Sequence, residues 1–187
     1  MAKTGSPRSN SREKILDAAT HLVAEIGARR LTLDAVAQRA GVSKGGLLYN
    51  FPSKSALLQG MVQRIIDEVC AEKDQLRSTI SEGPNAEARL IVTVLLNMLS
   101  IKTKDLANGI LAATAEDPEL LAPVRSIVSQ TFEELKSSSD NLDAALIGWL
   151  AVEGLSSFEM LDFSPFTKQD RKRIVSAVDR LLKTGKV

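Results

Sequence analysis

Residues 33–51 read LDAVAQRAGVSKGGLLYNF, and this stretch decides the fold. In one window it meets the steric demands of two short helices that cross steeply through a tight turn. The first helix needs a small residue facing the second, and Ala37 supplies it. The turn needs a residue that tolerates positive φ, and Gly41 supplies that. Val36, Ala40, Val42 and Leu47 are spaced to lock the pair, and Phe51, four residues after Leu47, falls on the same helical face. The spacing predicts a helix from an N-cap at Thr32 to Ala40, then a second from an N-cap at Ser43 that stops before Pro52. This is a helix-turn-helix.

The second helix of such a unit lies in the major groove and leads with its N-terminal residues. Here these are Ser43, Lys44, Gly45 and Gly46. A helical glycine costs about 1 kcal/mol, so two in the leading turn point to backbone that must closely approach a phosphate or a base edge. The alternative is a loosened surface helix.

Upstream, Ile15, Ala18, Ala19, Leu22, Val23 and Ile26 form the apolar stripe of a helix expected over Arg12–Ile26. A capping box of Asn10 with Glu13 opens it and Gly27 ends it. Residues 1–9 are polar and read as a disordered basic arm. Downstream, Ser53 caps a long helix whose apolar positions run from Leu57 through Val69, with a pattern that continues to Ile80. The charge is uneven. Residues 1–60 carry nine Lys/Arg against four acids, a net of +5, whereas residues 61–187 carry 15 against 19, a net of −4. A basic N-terminal third on an acidic remainder points to nucleic acid. Lys3, Arg8, Arg12, Arg29 and Arg30 are either phosphate or minor-groove contacts or parts of a solvated tail and loop.

The rest of the chain keeps helical period and shows no strand alternation. Helices are expected over about 85–101, about 105–115, from Asp117-Pro118 to a Ser137–Ser139 linker, over about 140–161, and from Thr167 to about Lys183. The fold class is all-α, with about nine helices. Domains are expected as an arm at 1–9, a DNA-binding helix-turn-helix domain at 10–56 and a larger helical domain at 57–187.

The run AVAQRAGVSKGGLLYNFPSKSALL, with the preceding helix REKILDAATHLVAEIG and Leu31-Thr32, closely resembles the signature of the TetR (tetracycline-repressor) family. The resemblance covers about residues 12–62. It implies an all-helical dimer whose first three helices bind double-stranded DNA, while the others bind ligand and form the dimer. It also implies roles for single residues. Thr32 caps the second helix against a phosphate, and Ser43, Lys44, Gly45 and Gly46 form the leading turn of the recognition helix. Tyr49 and Asn50 lie on its exposed face, and Lys54 contacts a phosphate. Two positions depart from the family's habit: Leu48 stands where Tyr is frequent, and Asn50 where His or Tyr is frequent. Which side chains read bases is therefore open.

Chemistry is excluded by shortage of residues. The one histidine, His21, reads as half-buried packing in the first helix, and the one cysteine, Cys70, as core. No His/Cys zinc cluster can be assembled, no serine has a histidine to activate it, and there is no phosphate-binding glycine loop. No enzyme, metal or cofactor is expected. The longest uncharged apolar run, Leu90–Ile101, is too short to span a bilayer, so a cytoplasmic location without membrane contact is expected.

The C-terminal helices carry Met98, Leu111, Phe132, Trp149 and Val152, with Leu95, Leu99, Ile110 and Phe158, as either walls of a cavity for a small, mostly apolar ligand or ordinary core. Ala144, Ala145, Gly148, Ala151 and Gly154 give the 140–161 helix a face of small residues that permits close helix approach. The last helix carries Ile174, Val178, Leu181 and Leu182 on one stripe. With the resemblance, Ala145, Gly148, Val152, Ile174, Val178 and Leu181 are expected at a homodimer interface. The function expected is a sequence-specific regulator, a repressor released from a palindromic operator by ligand. The alternative keeps the DNA-binding part but packs the C-terminal helices solid, without a sensor.

Overall fold

The computed structural model describes residues 7–98, 111, 113, 114 and 117–186, with side chains from Ser11 onward. Among these residues the regular structure is entirely helical. The helices are α1 (Pro7–Ile26), α2 (Leu33–Ala40), α3 (Lys44–Asn50), α4 (Lys54–Arg77), α5 (Ala86–Asn97), α6 (Ala122–Ser138), α7 (Leu142–Met160) and α8 (Lys168–Thr184). Single 3₁₀ turns occupy Ala28–Arg30 and Pro118–Leu121. The helix expected at 105–115 falls largely outside the described residues. No described helix is long and apolar enough to cross a membrane.

The chain divides into two compact units. One holds Met1–Ile65 with Asp105–Val124, and the other holds Ile66–Lys104 with Arg125–Val187. Helix α4 gives its first half to one and its second half to the other.

In the first unit α1 reaches back to Pro7, into the stretch read as an arm, so Asn10 lies inside the helix rather than capping it. Proline at the first helical position accounts for the earlier start, because its missing N–H would have no partner there. Ile15, Leu16, Ala19 and Val23 form the buried side of α1. His21 is exposed, not half-buried. Helix α4 closes the unit with Leu57, Leu58, Met61 and Val62. Gly60 is where α4 meets Phe51: a Cβ there would stand 2.6 Å from the ring. Arg64 donates to Asp17 at 2.7 Å and to Thr20 Oγ1 at 2.6 Å, tying α4 to α1. Ser55 donates a short hydrogen bond to Asp117, whose other oxygen accepts from the Glu119 N–H at 3.1 Å. The 3₁₀ turn at Pro118 is thereby fastened to the start of α4.

The core of the second unit gathers Ala88, Ile91 and Val92 of α5, Leu135 of α6, Ala145, Trp149 and Val152 of α7, and Val178 and Leu182 of α8. Asn85 joins three helix ends. It is 1% exposed and has a left-handed φ of 49°. Its amide donates to the Leu182 carbonyl at 2.9 Å, its Oδ1 accepts from the Asn141 N–H at 3.0 Å, and its own N–H donates to Asp140 at 2.8 Å. Ion pairs brace the outside. Lys73 of α4 meets Glu87 of α5 at 2.8 Å and Glu134 of α6 at 2.5 Å, and Arg77 meets Glu87 at 2.8 Å. Cys70, expected in the core, is exposed: it lies on α4 beyond the helix's buried run of Leu57–Val62.

Candidate nucleic-acid interface

The local chemistry that shapes α2 and α3 is visible atom by atom. Thr32 Oγ1 accepts from the Ala35 N–H at 3.2 Å, and Ser43 Oγ accepts from the Gly46 N–H at 3.1 Å. Each hydroxyl satisfies one of the orphan donors of a helix start. Gly41 takes the left-handed conformation with φ 65°, which strains residues that carry a side chain, so glycine lets the chain turn there. Val36, Ala37, Leu47 and Phe51 are buried. The two helices are thus locked through one side of α3, which leaves its other side outside the core.

That outer side carries the expected contact residues. Tyr49 is 73% exposed. Lys44 is exposed and pairs with the equally exposed Asp34 at 2.9 Å. A pair this wet is worth about 0–1 kcal/mol and yields readily to another anion. A Cβ at Gly45 would meet nothing within 4 Å, and one at Gly46 would meet only Ser43 Oγ at 3.2 Å. Packing within the chain therefore does not explain Gly45. Asn50 is turned back on its own helix, its amide donating to the Gly46 carbonyl at 2.8 Å. Lys54, at the first position of α4, donates to the Arg29 carbonyl at 2.8 Å and thereby stands beside the exposed Arg29–Arg30 turn. Thr32, Ser43, Lys44, Gly45 and Tyr49 are all exposed, whereas Gly46, Asn50 and Lys54 are partly so.

Two arginines near the helix-turn-helix, Arg12, which patterning leaves ambiguous, and Arg39, have partners within the unit. The Arg12 guanidinium stacks 5.3 Å from the centre of the Phe51 ring. Arg39 makes a two-point contact with Glu25 at 2.9 and 2.8 Å, and those hydrogen bonds hold the Glu25 carboxyl below the usual range. Lys3 and the side chain of Arg8 lie outside the described residues. Among the described residues no group of three or more His, Cys, Asp or Glu is placed to hold a metal.

Two family models match. The model of bacterial regulatory proteins of the tetR family covers residues 15–61, and that of the tetracyclin repressor-like C-terminal domain covers residues 85–183. The chain belongs to the TetR family of transcriptional regulators. The match over residues 15–61 includes the whole helix-turn-helix. The chain's relatives include the nucleoid occlusion factor SlmA of Vibrio vulnificus, 39% identical over 84 residues, which are 38% of this chain and 41% of that protein. The transcriptional regulator RutR of Escherichia coli O157:H7 is 29% identical over 152 residues, 79% of this chain and 68% of that one. The chain thus spans less than half the length of the first relative. Among solved structures, a transcriptional regulator of Streptomyces coelicolor A3(2) superposes with a TM-score of 0.69 at 23% identity, covering 93% of this chain and 99% of that one. The SmeT–triclosan complex superposes with a TM-score of 0.65 at 20% identity, covering 94% and 93%. At these identities the likeness is one of fold.

The residues proposed in this TetR regulator for ligand and dimer are placed less uniformly. Trp149 and Val152 sit together in the core of the second unit, while Met98 is partly buried just past α5. Leu111, in the first unit, is 42% exposed and Phe132 is 39% exposed. Leu99 and Ile110 lie outside the described residues. Ala145, Gly148, Val152, Val178 and Leu181 are buried within their own chain, and Ile174 is partly buried. The small face of α7 receives α8 of the same chain: a Cβ at Gly148 would stand 3.0 Å from Leu182 Cδ2 and 3.3 Å from Val178 Cγ1. In the single chain these five residues are thus packed against neighbouring helices of their own bundle. Sequence reading missed the stripe that α7 leaves outside: Ile147 (56% exposed), Leu150 (61%), Phe158 and Leu161, with Gly154 open to space. The signal was present in the 3-4 spacing of these residues, but the neighbouring small residues drew the reading to the opposite face.

Proposed function

We propose that this TetR-family chain is a dimeric repressor that binds a two-fold operator and is released from it by a small, mostly apolar ligand. The observation that carries the DNA part is the division of α3: Leu47 is locked in the core while Lys44, Gly45 and Tyr49 stand on the exposed side. In this reading the leading turn of α3 enters the major groove, with Ser43, Lys44, Gly45, Gly46, Tyr49 and Asn50 toward the duplex. Thr32 and Lys54 hold phosphates on either side. Lys44 exchanges Asp34 for a phosphate.

The dimer sets two such helices about 34 Å, or a multiple of it, apart. The exposed stripe of α7, Ile147, Leu150, Gly154, Phe158 and Leu161, is the face proposed for it, with the partly buried Ile174 at its side. For the ligand, Trp149 and Val152 are the proposed wall, with Met98 and Phe132 of the same unit contributing on binding. The bound triclosan of a fold neighbour supports an apolar ligand class. Ligand binding then biases a packing of the second unit that shifts α4, and the half-site separation no longer fits. Coupling of about 1–3 kcal/mol is typical of such linkage.

A gel shift of the full chain on the DNA upstream of its own gene tests the reading. Retardation that prefers that duplex over an unrelated one, weakens steeply with salt and is relieved by a compound that also quenches the single tryptophan supports it. Equal binding to both duplexes, or none, overturns it.

A further inference from the structure

We infer that the second unit carries a site for a small monocarboxylate in the cleft between α5 and α8, with Arg89 as its anchor. The cleft has a volume of about 340 Å³. Val92, Leu96, Val175 and Leu182 give it an apolar floor, and Arg89 and Thr93 line its polar side. A few polar groups over an apolar floor is the usual make-up of a small-molecule site, and this volume lies within the usual range.

Arg89 is the observation that points to an anion. It is 8% exposed and is the one charged residue in the buried class among the described residues. Its guanidinium donates from Nε to the Pro84 carbonyl at 3.1 Å, from Nη1 to Ser81 Oγ at 3.1 Å and from Nη2 to the Ser81 carbonyl at 2.5 Å. All three acceptors are neutral. A guanidinium has five N–H groups, so two remain, one on each terminal nitrogen. Among the described residues the partly buried Lys73, Arg64 and Arg171 each have a carboxylate partner, Glu87 and Glu134, Asp17, and Glu159 in turn, whereas the partly buried Lys54 donates to a carbonyl. Across the cleft Asp179 is already paired with Lys183 at 2.9 Å. A buried charge without a counter-charge is costly, and fastening the 81–84 turn would require only neutral donors. A carboxylate whose oxygens meet the two terminal N–H groups, with its hydrocarbon part on Val92, Leu96 and Val175, supplies what Arg89 lacks. The inference is independent of repression and of DNA, because its readout is binding to the protein alone.

The test is calorimetric titration of the full chain with hexanoate and octanoate, and with hexanamide as the uncharged match. Saturable binding of the acids is expected, at least about tenfold tighter than the amide. Val175→Trp, at the partly exposed rim, fills the cleft and should abolish it. Arg89→Gln should bring the acid down to the level of the amide. If Arg89→Gln fails to fold, Val175→Trp alone decides. Absence of saturable binding by either acid, equal binding of acid and amide, or binding that survives Val175→Trp overturns the assignment.

Discussion

A single missing methyl group decides how α4 closes on the helix-turn-helix. At Gly60 a Cβ would lie 2.6 Å from Phe51 Cε1, and the ring is only 3% exposed with the Arg12 guanidinium over its face. Gly60→Ala should therefore destabilise the first unit, by about 1–3 kcal/mol, although alanine is the better helix former. Urea unfolding read by circular dichroism measures this, and an unchanged or higher midpoint would contradict it. Asn85 does comparable service in the second unit, where its side chain satisfies the Leu182 carbonyl and the Asn141 N–H. Truncating it strands both. Asn85→Ala should cost about 2–4 kcal/mol in the same measurement. Lys44 is exposed and is proposed to meet the duplex. Lys44→Ala should leave stability within about 0.5 kcal/mol. It should flatten the salt dependence of operator binding by about 0.9 per half-site. A slope equal to that of the wild type would show that its ammonium meets no phosphate.

At the scale of elements, the starts and stops of α2, α3 and α8 were legible because their causes are local. Thr32, Ser43 and Thr167 cap, Thr167 with Asp170 in a full capping box, and Gly41 and Gly185 end their helices with positive φ. The early start of α1 and the stop of α4 at Arg77 rather than Ile80 were read less well, since polar helix ends carry little periodic signal. The ion pairs among α4, α5 and α6 were not legible at all, because they join residues up to 61 positions apart. They have a pH consequence. Burial works to raise the pKa of Glu87, but hydrogen bonds from Arg77 and Lys73 outweigh it and hold the carboxyl below its ordinary value. A depressed carboxylate stabilises the fold above its unfolded pKa, and that contribution is lost as pH falls through the folded one. The stability gap between wild type and Glu87→Gln should accordingly be full at neutral pH and shrink below the ordinary carboxylate range, as urea melts at stepped pH would show. Glu153 has the opposite sign: burial raises it against the hydrogen bond from Trp149. Its contribution is present below the unfolded pKa and fades as pH rises through the folded one.

For the molecule as a whole, the two units differ in how much of their purpose is written in short motifs. The helix-turn-helix is a dense local pattern, and the placing of Ala37, Gly41, Leu47 and Phe51 follows from spacing alone. The second unit is a bundle, and in a bundle a face of small residues announces a close neighbour without saying which one. Here the neighbour is α8 of the same chain, and the exposed Ile147–Leu161 stripe of α7 is the face proposed for a second copy. Ile147→Asp with Leu150→Asp should leave the chain folded yet monomeric by light scattering, and operator binding should fall with the dimer. A double variant that stays dimeric would remove α7's outer face from consideration.

The wet ion pair between Lys44 and Asp34, at 2.9 Å, gives the reading head a resident stand-in for phosphate. In the proposed binding mode Lys44 leaves that carboxylate for a phosphate, so every duplex, matched or not, gains from Lys44 only the surplus over a pair worth about 0–1 kcal/mol. The exchange thus trims overall grip equally on all sequences, and discrimination is left to the groups that face the bases.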